Sequence, residues 1–384
     1  MRIAYVRGPN LNAWELQNVD GLAHDVVAFA SRAGRYELGD VELPVRHLPS
    51  PRDALARAPA PALAAVHRFA GNVDYLIGLE RALRGFDVAH VADLSFPFSL
   101  QAVRARDAGA CRRVVATVWE NIAFPPWANR WEARRVERVA AGVDHCIAIS
   151  EDARLHLQVR GVPDDRITVL PPGIDVERFR PAEGDGGRHE DGPLRVLCVA
   201  RLVEEKGVDD LVVAAGLLRR RGVDVRVRLV GTGPLAARLP EIAQRMGVAD
   251  AVEVAGPIPY AELPDAYRAA DVFVLASGPR TTWREQFGFA VVEAMACGLP
   301  VVAGHSGSLA EVVGDEDQLV VPHEPALLAD RLAALAADPE RRHRQGERNR
   351  AWAERRYDRR AVARALAGLY EEVVERPGRG AAPG

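Results

Sequence analysis

Apolar residues along the chain fall in short runs that alternate with stretches of helical period. Residues 2–6 (RIAYV), 87–91 (DVAHV), 113–118 (RVVATV), 145–149 (HCIAI) and 167–170 are of strand length and end in turn signals. Between them, 22–33, 73–83, 100–108 and 152–158 predict helices. The stretch 181–193, PAEGDGGRHEDGP, has no apolar period and reads as a linker. A second series follows. Strands are predicted at 195–200, 225–230, 251–255, 271–276 and 300–303, and helices at 208–219, 235–246, 263–269, 288–298, 326–337 and 359–374. Such alternation predicts an α/β chain of two Rossmann-like, doubly wound domains with parallel sheets. Their expected extents are 1–180 and 194–358, followed by a helix over 359–375 and a disordered tail at 376–384.

Composition adds exclusions. At 48% hydrophobic, 27% charged and net charge -3, the 384 residues are globular and carry no field for nucleic acid. Cys111, Cys146, Cys198 and Cys297 are scattered, with no C-x-x-C pair, which suits a reduced cytoplasmic protein. No run of 18 apolar residues offers a membrane span, and MRIAYVRGPN reads as a strand and turn rather than a signal peptide. The first turn lacks G-x-G-x-x-G, against an NAD enzyme. Of 50 basic residues, Lys206 alone is lysine. A chain that writes nearly every cation as arginine keeps lysine where a compact ammonium is needed.

Lys206 lies in one of three loops expected at the carboxyl ends of the second domain's strands, where open parallel sheets bind ligands. The first loop holds Arg201 and Lys206, the second Gly231 and Gly233 in GTGP, the third Glu285 before a helix opened by Gly288. Glu293 stands inside that mostly apolar helix, where a carboxylate needs a partner. Two cations, a glycine-flanked backbone and a helix N-terminus suit a diphosphate, and two carboxylates suit sugar or ribose hydroxyls. No Asp-x-Asp pair at a strand end suggests a metal site.

The segments LPPGIDVERFRP (170–181), VARLVEEKGVDDLV (199–212), LVGTGPL (229–235), ADVFVLAS (270–277) and EQFGFAVVEAMACGLPVVA (285–303) resemble retaining glycosyltransferases of the two-domain GT-B fold, family 4, group 1. The resemblance is dense from about 167 to 321 and looser before. It implies two domains facing a cleft, with the last helix crossing back to the first. It implies hexosyl transfer from a nucleotide-diphosphate sugar, with retention and without metal or other cofactor. Arg201 and Lys206 would neutralise the diphosphate. Glu285 and the backbone near Phe287 and Gly288 would hold the sugar, and Glu293 the ribose. Gly231 and Gly233 would let the backbone approach the nucleotide.

The first domain departs from the family. Trp119 stands where members carry a His, so adjacent Glu120 is the candidate replacement, unless Trp119 packs and Glu120 is a loop residue. Asn12 and Glu15 fall in the degenerate first loop and are candidate acceptor-side residues. His90 reads as a structural strand-end residue. The acceptor is a glycan, a lipid-linked or a small-molecule hydroxyl compound. Trp127 and Trp131 lie among Arg130, Arg134, Arg135 and Arg138, which keeps open a peripheral contact with the inner face of a membrane, although Glu132 and Glu137 favour a solvated helix. Two other readings stand beside transfer: a nucleotide-sugar-binding protein with altered chemistry, and a GT-B epimerase or hydrolase. The sequence specifies neither donor base and sugar nor oligomeric state.

Overall fold

The structure is a computed structural model and describes residues 1–36, 38, 42–55, 73–122, 129–182 and 192–377. The chain divides into two compact units, one of Met1–Gly173 with Arg359–Gly384, the other of Ile174–Asp358.

In the first unit, β1 (Arg2–Gly8), β2 (Asp25–Ser31), β3 (Val45–Leu48), β4 (Phe86–Ala92), β5 (Cys111–Val118), β6 (His145–Ala148) and β7 (Ile167–Val169) form one sheet. Its order is β3-β2-β1-β4-β5-β6-β7, and each neighbouring pair is parallel. The order reverses between β1 and β4, where Tyr5 pairs with His90. Beyond the carboxyl ends of two such strands lies a crevice that neighbouring crossovers leave uncovered. One face of the sheet buries Ile3, Tyr5, Val88, Val115 and Ile147 against Leu366, Leu369, Tyr370 and Val373. Those last four belong to the helix Arg359–Glu375, so this helix completes the first unit's core, as the resemblance implied.

In the second unit, β8 (Leu194–Val199), β9 (Val225–Val230), β10 (Val252–Gly256), β11 (Val272–Leu275), β12 (Val301–Gly304) and β13 (Leu319–Val320) take the order β10-β9-β8-β11-β12-β13, again parallel. Its reversal lies between β8 and β11. The helix Val208–Arg220 buries Val208, Leu211, Val212 and Ala215 on this sheet, as its apolar spacing predicts.

Three expectations are corrected. Residues 22–33 are not a helix but hold β2, whose DVVAFAS run is buried from its second residue on. A strand covered on both faces loses its alternation and reads like a buried helix; the β-branched Val26 and Val27 were the contrary signal. Over 73–83 the only helix is the short Leu79–Ala82. The divide also falls earlier than 181–193: Phe179 is fully buried, and the Ile174 amide donates to the Tyr357 carbonyl at 2.7 Å within the second unit. Residues 183–191 of the expected linker, 378–384 of the expected tail, and Trp127 lie outside the described residues.

The helix Pro339–Tyr357 was not predicted, because its core contacts are polar. Asn349 Nδ2 donates to the Leu299 carbonyl at 2.7 Å, and Arg350 Nη1 donates to the Val176, Phe179 and Ala296 carbonyls at 2.9, 2.7 and 2.7 Å. The bonds to Ala296 and Leu299 take up carbonyls where the helix Phe289–Ala296 ends, and those to Val176 and Phe179 tie the 174–180 segment to the same helix.

Candidate active site

The loops after β8, β9 and β11 meet at the carboxyl edge of the second sheet. The first two are zipped together by Leu202 N to Thr232 O at 2.8 Å and Leu235 N to Leu202 O at 3.0 Å. Gly231 sits at φ +141°, and a Cβ there would lie 1.9 Å from the Ala200 carbonyl oxygen. At Gly233 it would lie 2.3 Å from the Leu202 carbonyl oxygen. Close packing of the two loops therefore already requires both glycines, whatever the site binds.

Lys206 ends the 3-10 turn Glu204–Lys206. Its Nζ donates to Glu285 Oε2 at 2.6 Å and lies 4.8 Å from the centroid of the Trp283 ring. Ser277 Oγ, at the end of ADVFVLAS, donates to the same carboxylate oxygen at 2.8 Å. The Lys206 and Glu285 side chains are 14% and 8% exposed. The loop carrying Glu285 is held from behind, where the Ser308 amide donates to the Glu285 carbonyl at 3.1 Å. Lys206 and Glu285, 79 residues apart, thus form a buried charge-assisted pair. The lone lysine and the first glutamate of E-x7-E meet as one unit.

The other expected donor residues are placed differently. Arg201 is in the same loop as Lys206, but its side chain is 62% exposed and its described contact is Glu205, at 3.4 Å. The Phe287 ring is buried against Phe289 and Tyr357, so its side chain packs in the core. Gly288, at φ +87°, opens the helix Phe289–Ala296 with no side-chain cap. Glu293 lies on that helix away from the Lys206 pair. It is 4% exposed and accepts from Tyr267 Oη at 2.8 Å, with the buried Tyr260 hydroxyl close by.

Burial pushes the Glu293 carboxyl up to about 7, against the hydrogen bond from Tyr267. A carboxyl raised above its unfolded value of 4.5 binds its proton more tightly in the folded state, so it costs stability as pH rises from 4.5 through 7. Glu293→Gln removes that cost. The variant should gain melting temperature over the parent at pH 8 and little or none at pH 5. An equal difference at both pH values would show that the carboxyl does not titrate in this window.

In the first unit the expected acceptor-side residues make structural hydrogen bonds. Glu15 Oε2 accepts from Arg7 Nε at 2.7 Å and Tyr5 Oη at 3.4 Å, and Oε1 accepts from Asn12 Nδ2 at 2.8 Å. Asn12 Oδ1 caps the helix Ala13–Leu16 by accepting from the Glu15 amide. Arg7 is 1% exposed, and its guanidinium carbon lies 3.8 Å from the Tyr5 ring centroid. His90 is the structural residue expected: its ring nitrogens lie 2.6 Å from Tyr370 Oη and Thr117 Oγ1, and burial holds its pKa well below the ordinary value. Glu120 Oε1 accepts from the amides of Asn121 and Ile122 at 3.1 and 2.9 Å, so that oxygen stabilises its own loop.

Sequence reading gave no role to Ser277, Trp283 or Arg7. Ser277 ends the quoted segment 270–277, and Trp283 lies two residues before the segment 285–303. Arg7 carried a weak signal, a charged residue ending an apolar strand. Among the described residues, no cluster of His, Cys, Asp or Glu is arranged to hold a metal ion.

Residues 16–178 match the profile of Glycosyltransferase Family 4, and residues 180–352 that of Glycosyl transferases group 1. The GDP-mannose-dependent alpha-(1-6)-phosphatidylinositol monomannoside mannosyltransferase of Mycobacterium tuberculosis is 35% identical over 266 residues, covering 67% of this chain and 68% of that one. The D-inositol 3-phosphate glycosyltransferase of Nocardia farcinica is 37% identical over 228 residues, 55% of this chain and 49% of that one. The crystal structure of Anabaena HepE in complex with UDP superposes with a TM-score of 0.77 at 20% identity, covering 97% of this chain and all of that one. The chain belongs to the group 1 glycosyltransferases of family 4, which have the GT-B fold. It is accordingly an enzyme, a glycosyltransferase using a nucleotide sugar.

Proposed function

We propose that the protein transfers a hexosyl group from a nucleotide-diphosphate sugar to a hydroxyl of an inositol-phosphate acceptor, free or lipid-linked, with retention and without a metal ion. The observation that carries the reading is the Lys206–Glu285 pair, 2.6 Å long, beside Ser277 and Trp283 at the carboxyl edge of the second sheet. The bond from anomeric carbon to diphosphate oxygen breaks with its electron pair left on the diphosphate. Lys206 and Arg201 stabilise that charge, in place of a divalent ion. Glu285, held by Lys206 and Ser277, accepts from sugar hydroxyls, and Glu293 serves the ribose. The acceptor oxygen bonds to the anomeric carbon and passes its proton to the departing diphosphate oxygen. The relatives named for phosphatidylinositol monomannoside and D-inositol 3-phosphate support the acceptor class. An exposed Trp131, with the Arg130 and Arg134 guanidiniums 4.7 and 5.7 Å from its ring, supports peripheral contact with a membrane bearing such a lipid. Among the described residues no helix is long and apolar enough to cross one.

The test is thermal shift against UDP-, GDP-, ADP- and TDP-sugars, followed by transfer to D-inositol 3-phosphate and to phosphatidylinositol vesicles. A ligand at 100 times its Kd adds about 2.7 kcal/mol to the native state. One nucleotide class, with GDP-mannose tried first, should raise the melting temperature and be consumed in transfer. A flat panel with no donor consumed would end the reading.

A further inference from the structure

The residue after β4 is Asp93, with a backbone φ of +42°. Few side chains adopt that region; aspartate tolerates it better than most, at a cost met by its surroundings. Asp93 is gripped on every side. Its amide donates to the Thr117 carbonyl at 2.7 Å, and its carbonyl accepts from Ser99 Oγ at 2.8 Å. Its Oδ1 accepts from the amides of Trp119 and Glu120 at 2.8 and 3.3 Å. The residue keeps partial exposure. It stands at the carboxyl end of the strand beside the first sheet's reversal, the edge where such sheets take ligands. Trp119, whose amide it holds, also lines a cavity of about 40 Å³ with Arg7, Glu15, His90 and Thr117.

Of the carboxylates expected on the acceptor side, Glu15 has both oxygens engaged, by Arg7, Tyr5 and Asn12; Glu120 gives Oε1 to its own loop amides but lacks the left-handed backbone that fixes Asp93 at the strand end. For Asp93, both amide contacts fall on Oδ1, and no described hydrogen bond uses Oδ2.

We infer that Asp93 is the first unit's acceptor-contacting residue, its Oδ2 accepting a hydrogen bond from an acceptor hydroxyl while Oδ1 anchors the Trp119–Glu120 loop. The inference rests on the glycosyltransferase reading above and names the residue that selects and orients the acceptor. The charge around it is acidic: Glu120 after β5 and, less strongly, Glu15 after β1. Burial first, then these carboxylates, push Asp93 up to about 7 against its two amide donors. Its accepting form is therefore lost as pH falls through that value.

The test compares the parent with Asp93→Asn. Asparagine tolerates the same backbone, keeps Oδ1 for both amides, and replaces only the accepting oxygen by a donor. Three quantities are read: transfer to D-inositol 3-phosphate and phosphatidylinositol vesicles, donor hydrolysis without acceptor, and melting temperature. The expected result is a loss of transfer of roughly 10- to 100-fold, the range for a hydrogen bond to a charged group. Donor hydrolysis and melting temperature should stay at parental values. In the parent, kcat/KM for the acceptor should fall below about pH 7, and in Asp93→Asn that limb should be absent. Parental transfer in the variant overturns the assignment. So does a parallel loss of transfer and hydrolysis, which would mark Asp93 as a loop support alone. A parent that consumes donor but transfers to neither acceptor overturns the acceptor class, and one that consumes no nucleotide sugar overturns the parent reading.

Discussion

Lys206→Ala should lower transfer by on the order of 10²–10³-fold in kcat, the cost of losing one donor to a developing oxyanion. The alanine also strands Glu285, whose side chain is 8% exposed, with Ser277 as the hydroxyl still donating to its Oε2. Two effects would then mix: loss of diphosphate charge, and a carboxylate short of its cation. Lys206→Arg separates them, because it keeps the charge. Its planar fork is larger than the ammonium now placed 2.6 Å from Glu285 and 4.8 Å from the Trp283 centroid, so it should not restore the rate. Rates are to be taken below each variant's melting transition, with donor KM alongside kcat. Near-parental turnover in Lys206→Ala would remove the diphosphate role. Full rescue by arginine would mean that charge alone matters there, and would leave the single lysine without a reason.

Glu15→Ala should be strongly destabilising to the first unit. Arg7 is 1% exposed, and Glu15 is its carboxylate partner, at 2.7 Å. Removing one member of a buried pair leaves the other charge without compensation, at about 3–5 kcal/mol. The remaining Arg7 bonds go to the Val6 and His90 carbonyls, at 3.1 and 3.3 Å, and cannot replace a carboxylate. Combining Glu15→Leu with Arg7→Met should recover most of the loss, since apolar residues of similar volume often replace buried ion pairs without penalty. Urea unfolding of Glu15→Leu, Arg7→Met and the double variant closes the cycle. A Glu15→Ala cost below about 1 kcal/mol, the level of an exposed pair, would show that water reaches Arg7.

Much of this was legible in the residues. Strand length and β-branching gave most of the two sheets, and the glycines of GTGP and at 288 marked the loops at the carboxyl edge of the second sheet. Elements escaped where burial erased or inverted the periodic signal. β2 is buried on both faces and lost its alternation. The helix Pro339–Tyr357 buries Gln345, Gly346 and Asn349 and so lacks an apolar stripe. Within the site, the pairing of Lys206 with Glu285 was implied by residue type but not by spacing, since the two loops meet only after the sheet forms. Glu15 shows the opposite limit. A carboxylate in a loop looks free until a buried arginine from the adjoining strand is found beside it. Asp93 was invisible for a third reason: its distinction is a backbone angle, which composition does not record.

The helix Arg359–Glu375 also sets an order of birth. Tyr370 closes on His90, 280 residues earlier, and Leu366 and Val373 join a core begun by Ile3 and Tyr5. A ribosome must add the whole second unit, Ile174–Asp358, before it delivers that helix. At about 5–20 residues per second the first sheet waits roughly 10–40 s with one apolar face uncovered. The second unit, continuous in sequence, has no such wait. The later-made unit is therefore free to fold first, and the earlier-made one needs shelter for its open face during that interval.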